Sequence, residues 1–158
     1  EKPLCWSVKI NVDATILKKK TSFGVIIRDS DGLALGRGGG FKDELMAIEL
    51  AELYAFEEGL KLAHSLYTNN AIFETDCASL MNRFKKYKDD ITIIGHRIEE
   101  IYKTLEMFTT IDVKWANRSC NNVADFICKY VILNNCNMLF GIDYPRYIHD
   151  TVIHDSFN

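Results

Sequence analysis

Two short apolar runs in this chain end on an aspartate. Val8-Lys-Ile-Asn-Val-Asp13 alternates apolar and polar residues as a half-buried strand does, and Ala71-Ile-Phe-Glu-Thr-Asp76 is a second strand-like run. A third aspartate, Asp125, falls in the first turn of the last helix-like stretch, and glutamates stud a long helical stretch before Asp76. Taken singly, each is an ordinary surface acid, and Asp125 also suits the positive end of a helix dipole. Together they are a different matter. Carboxylates converging at one sheet edge repel one another unless a divalent cation lies between them, and an Asp at the end of a buried strand is costly without a cationic partner. An all-oxygen ligand set suits Mg²⁺ better than zinc.

The elements that must position these acids are readable from periodicity. After the first strand, Lys18-Lys-Lys20 marks a solvated turn, and strand-like runs over 21–28 and 33–38 flank the hairpin signal Asp29-Ser-Asp-Gly32. Gly36, Gly38, Gly39 and Gly40 lack both the Gly-Lys-Ser/Thr ending and the Gly-x-Gly-x-x-Gly spacing of a phosphate loop, so a kinked edge strand is expected. Apolar residues recur at helical spacing from Asp43 to about Leu66 (Met46, Leu50, Leu53, Leu60, Ala63), which predicts a long helix. A short helix is predicted over 77–84, and a longer amphipathic one is carried by Ile94, Ile98, Ile101, Leu105 and Phe108. Ile111-Asp-Val-Lys-Trp115 reads as a strand, and the last helix opens at Val123. Beyond Leu133 the periodicity fades. The layout is mixed α/β, with a folded domain expected over 5–133 and a tail or linker over 134–158.

Composition narrows the class. The chain has 158 residues, 47% hydrophobic and 26% charged, enough to bury a core as one domain. No apolar run approaches the roughly 18 to 20 residues of a membrane span, and no signal-peptide core is present, so an intracellular location, nucleus or cytoplasm, is expected. The start Glu-Lys-Pro suggests a piece of a longer polypeptide. Five cysteines without Cys-x-x-Cys spacing fit neither a disulfide framework nor a zinc site. Asn117-Arg-Ser119 matches a glycosylation sequon, with no secretion signal to support it. The formal net charge of -3 runs against nucleic-acid binding, and the basic clusters, Lys18 to Lys20 and Lys85-Lys-Tyr-Lys88, are scattered.

Several segments, in order, resemble the ribonuclease H family. They are Ile10-Asn-Val-Asp13-Ala, the hairpin from Gly24 to Gly32, the stretch Ala51-Glu-Leu-Tyr-Ala-Phe-Glu-Glu-Gly-Leu60, Phe73-Glu-Thr-Asp76, and the segment Asn117-Arg-Ser-Cys-Asn-Asn-Val-Ala-Asp125. More narrowly they look like the plant RNase H-like domain of non-LTR retroelements, over about Trp6 to Leu133. The resemblance implies an α/β ribonuclease H-like fold: a five-stranded mixed sheet flanked by helices, its first three strands antiparallel. It also implies a metal site of Asp13, Glu52, Asp76 and Asp125. The family's Glu-x-x-Ala followed by Gly-Leu aligns on Glu52, Ala55, Gly59 and Leu60, with Glu49 one helical turn earlier as the fallback.

The implied activity is endonucleolytic cutting of the RNA strand of an RNA–DNA hybrid by a monomer, with two Mg²⁺ or Mn²⁺ ions as cofactor. One ion would activate water and the other stabilise the leaving 3′ oxygen, giving a 5′-phosphate and a 3′-hydroxyl. Two departures stand out. The loop before Asp125 carries Asn117, Arg118 and Ser119 where the family's cellular enzymes carry a His, and these residues hold no N-terminal hybrid-binding module. The competing expectation is a catalytically inactive nucleic-acid-binding or protein-interaction module derived from a retroelement.

Overall fold

The alternation of the first strand sets the layers. In the computed structural model, which describes residues 7–140, β1 (Ser7–Leu17) buries Val8, Ile10 and Val12 in the main core. Directly after β1, Lys18 and Lys19 both take positive φ, 51° and 62°, closing a tight hairpin into β2 (Lys20–Arg28). That is the backbone a two-residue hairpin loop requires, adopted here by lysines rather than Asn-Gly.

β3 (Ala34–Lys42), α1 (Ile48–Ser65), β4 (Asn70–Thr75), α2 (Ala78–Lys86), α3 (Ile93–Leu105), β5 (Thr110–Trp115), α4 (Asn122–Asn134) and β6 (Met138–Phe140) follow. The sheet order is β5-β4-β1-β2-β3-β6. β1, β2 and β3 are antiparallel, while β4 and β5 run parallel to β1. The five expected strands are therefore present in the expected sense, with β6 added on the outer side of β3. The parallel register pairs Asn11 with Glu74, so the chain brings Asp13 and Asp76 along side by side.

α1 packs on the face that carries Val12 and Ile10. A Cβ on Gly59 would collide with Val12 and crowd Phe73, so a glycine lets the helix lie close. α4 covers the opposite face along a row made small: Asp13 pairs with Gly24, and Gly24 with Gly39. A Cβ on Gly24 would collide with the Ala124 carbonyl, and one on Gly39 with the Ile127 side chain. Polar ties fix that approach. The Ser22 hydroxyl donates to the Cys128 carbonyl at 2.9 Å, the Asn121 amide to the Val12 carbonyl at 2.8 Å, and the Cys128 thiol to the Asp13 carbonyl at 3.1 Å.

Several expectations need correcting. The long helix begins at Ile48 rather than Asp43, because the Thr21 hydroxyl donates to the Glu44 carbonyl and accepts from the Met46 N–H, holding that stretch out of helical geometry. β3 is not an edge strand, and its glycines admit α4, Leu66 and Phe23. The boundary expected at residue 133 falls before the sheet ends, since Met138–Phe140 is paired with β3, while 141–158 of the expected tail lie outside the described residues. Tyr87, read with its lysines as part of a basic patch, stacks on Tyr102 at 4.4 Å between ring centres and is a packing residue.

Gly24→Ala is expected to destabilise the domain by about 2 kcal/mol, lowering the melting temperature by roughly 4 to 8 °C. Thermal denaturation with an unchanged midpoint would mean that α4 does not rest on this row.

Candidate metal centre at the strand ends

Three elements meet where β1 passes the end of β4. β1 supplies Asp13, α1 supplies Glu52 and the residue after β4 supplies Asp76, and their carboxylate oxygens lie within 4.8 Å of one another. Asp13 and Glu52 are removed from water, at 6% and 4% exposure, and Asp76 is partly exposed. Glu52 Oε2 is buried and has no hydrogen-bond partner among the described residues. A buried carboxylate oxygen without a donor is expensive, and a cation is the partner that an all-acid neighbourhood lacks.

The helix decides between the two glutamates. Glu52 points into the cluster, whereas Glu49, one turn earlier, pairs with the Arg83 guanidinium at 2.6 Å. Asp125 stands outside the close group of three. Its carboxylate is near enough to raise the pKa of Asp13 through charge and a hydrogen bond, but it is also paired at 2.7 Å with Lys129, one turn along α4. Three of the four expected acids are thus brought together, and the fourth borders them.

The electrostatics follow from this crowding. Burial is the main influence that pushes the Asp13 carboxyl up to about 7, helped by the charges of Asp76 and Asp125. Burial likewise pushes Glu52 up to about 9, with Asp13 and then Asp76 adding repulsion. The Ala14 backbone N–H is the opposing influence on both. Asp76 is raised by its burial, against the nearby Arg118 guanidinium, which holds it down. Oxygen-only donors, an unpartnered buried oxygen and carboxyls that resist ionising together fit a divalent cation held by Asp13, Glu52 and Asp76.

Sequence reasoning missed several supporting residues. Asn121 and Cys128 tie α4 to the backbone of Val12 and Asp13, and Trp115 donates its indole N–H to the Asp76 carbonyl at 3.2 Å. Only Asn121, inside the quoted Asn-Asn-Val-Ala-Asp segment, left a signal. Asn117, the expected loop residue, accepts a hydrogen bond from the Ser119 N–H at 3.2 Å and so caps the turn Arg118–Asn121.

A family model described as reverse transcriptase-like matches residues 11–131, and the chain belongs to that family. The RNase H-like fold is also shown by solved structures. RNase H1 from the halophilic archaeon Halobacterium salinarum superposes with a TM-score of 0.73 at 16% identity, covering 82% of this chain and 99% of that one. The N-terminal RNase H domain of a Mycobacterium tuberculosis protein, solved as a fusion with maltose binding protein, gives 0.70 at 15%, covering 83% and 99%. LC11-RNase H1, isolated from compost by a metagenomic approach and solved in complex with an RNA/DNA hybrid, gives 0.71 at 14%, covering 81% and 98%. No curated protein matches the sequence.

The raised pKa values fix the sign of a pH effect. A carboxyl whose pKa is higher folded than unfolded binds its proton more tightly in the native state, so stability is greatest at low pH and is lost as pH rises. Without divalent metal, the melting temperature should fall between about pH 4 and pH 9, the span from the ordinary carboxylate values to those of Asp13 and Glu52. Glu52→Gln should remove the upper part of that fall. Mg²⁺ at ten times its dissociation constant should restore about 1.4 kcal/mol, roughly 3 to 6 °C. Identical pH profiles for wild type and Glu52→Gln in thermal melts would show that the acids are not coupled.

Proposed function

We propose that this domain is a metal-dependent endonuclease that cuts the RNA strand of RNA–DNA hybrids. The observation that carries the reading is the convergence of Asp13, Glu52 and Asp76 within 4.8 Å on an RNase H-like fold. The hybrid bound to LC11-RNase H1 supports the substrate class. Divalent ions, two Mg²⁺ or Mn²⁺, held by Asp13, Glu52 and Asp76 with Asp125 alongside, would supply Lewis acidity and an activated water. Water would attack the phosphodiester in line and give up a proton to bulk solvent, a P–O bond to its oxygen would form as the bond to the 3′ oxygen breaks, and the 3′ oxygen would take up a proton from solvent, leaving a 5′-phosphate and a 3′-hydroxyl.

The chain's own residues have distinct parts in this. Asp13 and Glu52, fixed on rigid elements and kept dry, hold their oxygens in place. Asp76, more open to water, faces the substrate side. Arg118, close enough to act on Asp76, is the cation offered to the cut phosphate in a loop without His. Choice of the RNA strand rests on 2′-hydroxyl contacts and duplex shape. We infer a monomer that works inside the cell, in nucleus or cytoplasm, and that derives from a retroelement of plant type. The free Cys77, Cys120, Cys128 and Cys136 suit such a reducing compartment.

A second reading has its own observation. Lys129 already neutralises Asp125, which suits a retroelement-derived module that binds nucleic acid or protein without cutting.

Labelled RNA–DNA hybrid incubated with the purified domain should be cut in Mg²⁺ or Mn²⁺ and spared in chelator, with duplex DNA and single-stranded RNA untouched. Glu52→Gln should lower the rate by at least about 10²-fold and Glu49→Gln by far less. Arg118→Ala should slow steady turnover more than the first cut. No cutting in either metal would favour the binding module, and a Glu49→Gln loss exceeding that of Glu52→Gln would reverse the assignment of the helix.

A further inference from the structure

The sheet runs from β5 to β6, so among the described residues β5 has one strand neighbour, β4, and its other edge is open. The Thr110 N–H donates to the Asn69 carbonyl at 3.3 Å and the Ala116 N–H to the Thr75 carbonyl at 2.9 Å, so the even-numbered residues aim their backbone groups at β4. Backbone groups alternate along a strand, which leaves the N–H and C=O of Ile111, Val113 and Trp115 directed outward. Water reaches this strand: Thr110, Asp112, Lys114 and Trp115 are exposed, and Ile111 and Val113 are half-buried.

An open edge of this kind is a template for another strand, and proteins often guard it with a lysine. Lys114 occupies such a position, but Asp112 stands two residues before it on the same face, its Oδ2 3.6 Å from the Lys114 Nζ. The two charges lie symmetrically about Val113. When β5 meets its own copy antiparallel, a register centred on Val113 pairs Val113 with the partner's Val113 and Ile111 with the partner's Trp115. Those are the outward residues, so their backbone groups all find bonds. The same register sets Asp112 opposite the partner's Lys114, in the non-hydrogen-bonded positions where side chains approach most closely. Centring on Asp112 or on Lys114 instead would set like charges face to face, so the charges specify the register.

We propose that β5 is a self-recognition edge through which two copies of this chain join antiparallel about Val113, extending one sheet across the pair. This goes beyond the nuclease reading and does not depend on it. Asp13, Glu52 and Asp76 come from one chain, so each monomer stays a complete unit within the pair. A joint of one strand with few apolar side chains belongs to the small, transient class of interfaces, with a dissociation constant on the order of 10–100 µM. The domain is therefore single at the nanomolar concentrations of a cleavage assay and paired where copies crowd together.

The test is sedimentation equilibrium of the metal-free chain from about 1 µM to about 1 mM, a range that brackets that constant. Amide hydrogen exchange, labelled at both ends of the range and read residue by residue by mass spectrometry, locates the contact. The N–H groups of Ile111, Val113 and Trp115 should exchange about fivefold more slowly at the high end, and those of Asp112 and Lys114, already aimed at β4, should not change. Lys114→Asp sets Asp against Asp at both facing positions and should weaken pairing at least about 10-fold. Asp112→Lys combined with Lys114→Asp reverses both signs and should return the constant to within about threefold of wild type. Val113→Pro removes an N–H that β4 does not use and should abolish pairing.

A chain that stays monomeric at the highest concentration overturns the proposal, as does a double variant that pairs no more tightly than Lys114→Asp. Pairing that leaves the Val113 N–H exchanging as in dilute protein puts the contact on another surface and overturns it too. Should Val113→Pro fail to fold, the charge-reversed variants and the exchange rates still decide. Hybrid cleavage enters none of these measurements, so the nuclease reading stands or falls separately.

Discussion

The fold holds two carboxylates out of water within a few ångströms of each other, and most of the structure around them serves that placement. Asp13 and Glu52 reach the cluster from a central strand and from the helix packed on it, and Asp76 joins from the neighbouring parallel strand. Like charges in so dry a place oppose the native state, so the surrounding packing must outweigh them. Val12 and Ala14, flanking Asp13 on β1, and Leu53, Ala55 and Phe56 on α1 do that by burying apolar surface against the same sheet.

The opposite face contributes through closeness rather than bulk. Glycines at 24 and 39 let α4 lie on the sheet behind Asp13, and Ser22, Asn121 and Cys128 hold it there through backbone carbonyls. The Cys128 thiol is fully enclosed, and burial raises its pKa well above the ordinary range, so it serves as a neutral donor to the Asp13 carbonyl. The price of this arrangement is a strand rich in glycine, which is stable because α4 and β6 cover and pair it.

Much of this was legible from residue order. Period-2 alternation in Val8-Lys-Ile-Asn-Val and the Asp that closes each alternating run gave β1, β4 and two of the acids, because a side-chain alternation directly encodes which face is buried; the expected end of β1 at Asp13 is corrected, since pairing with β2 carries the strand on to Leu17. Glu52 was preferred over Glu49 by its place in the Glu-x-x-Ala pattern, and the helix places it so, with Glu49 drawn to Arg83 instead. The boundaries set by distant contacts were not legible. The start of α1 depends on the Thr21 hydroxyl more than twenty residues away, and the purpose of the glycines in β3 depends on α4, so periodicity within one segment could not reveal either. Asp125 shows the same limit. Its position in the first turn of α4 was clear, but its pairing with Lys129 was not, since Lys at i+4 is common on helices whatever the acid does.

Whether Asp13, Glu52 and Asp76 hold a cation is answered without relying on catalysis by diffraction from a crystal soaked in Mn²⁺. An anomalous difference map should place the strongest manganese peak among the carboxylates of Asp13, Glu52 and Asp76, with the peak lost in Asp13→Asn. Manganese bound elsewhere, with those three carboxylates bare or the Arg118 guanidinium lying between them, would contradict it.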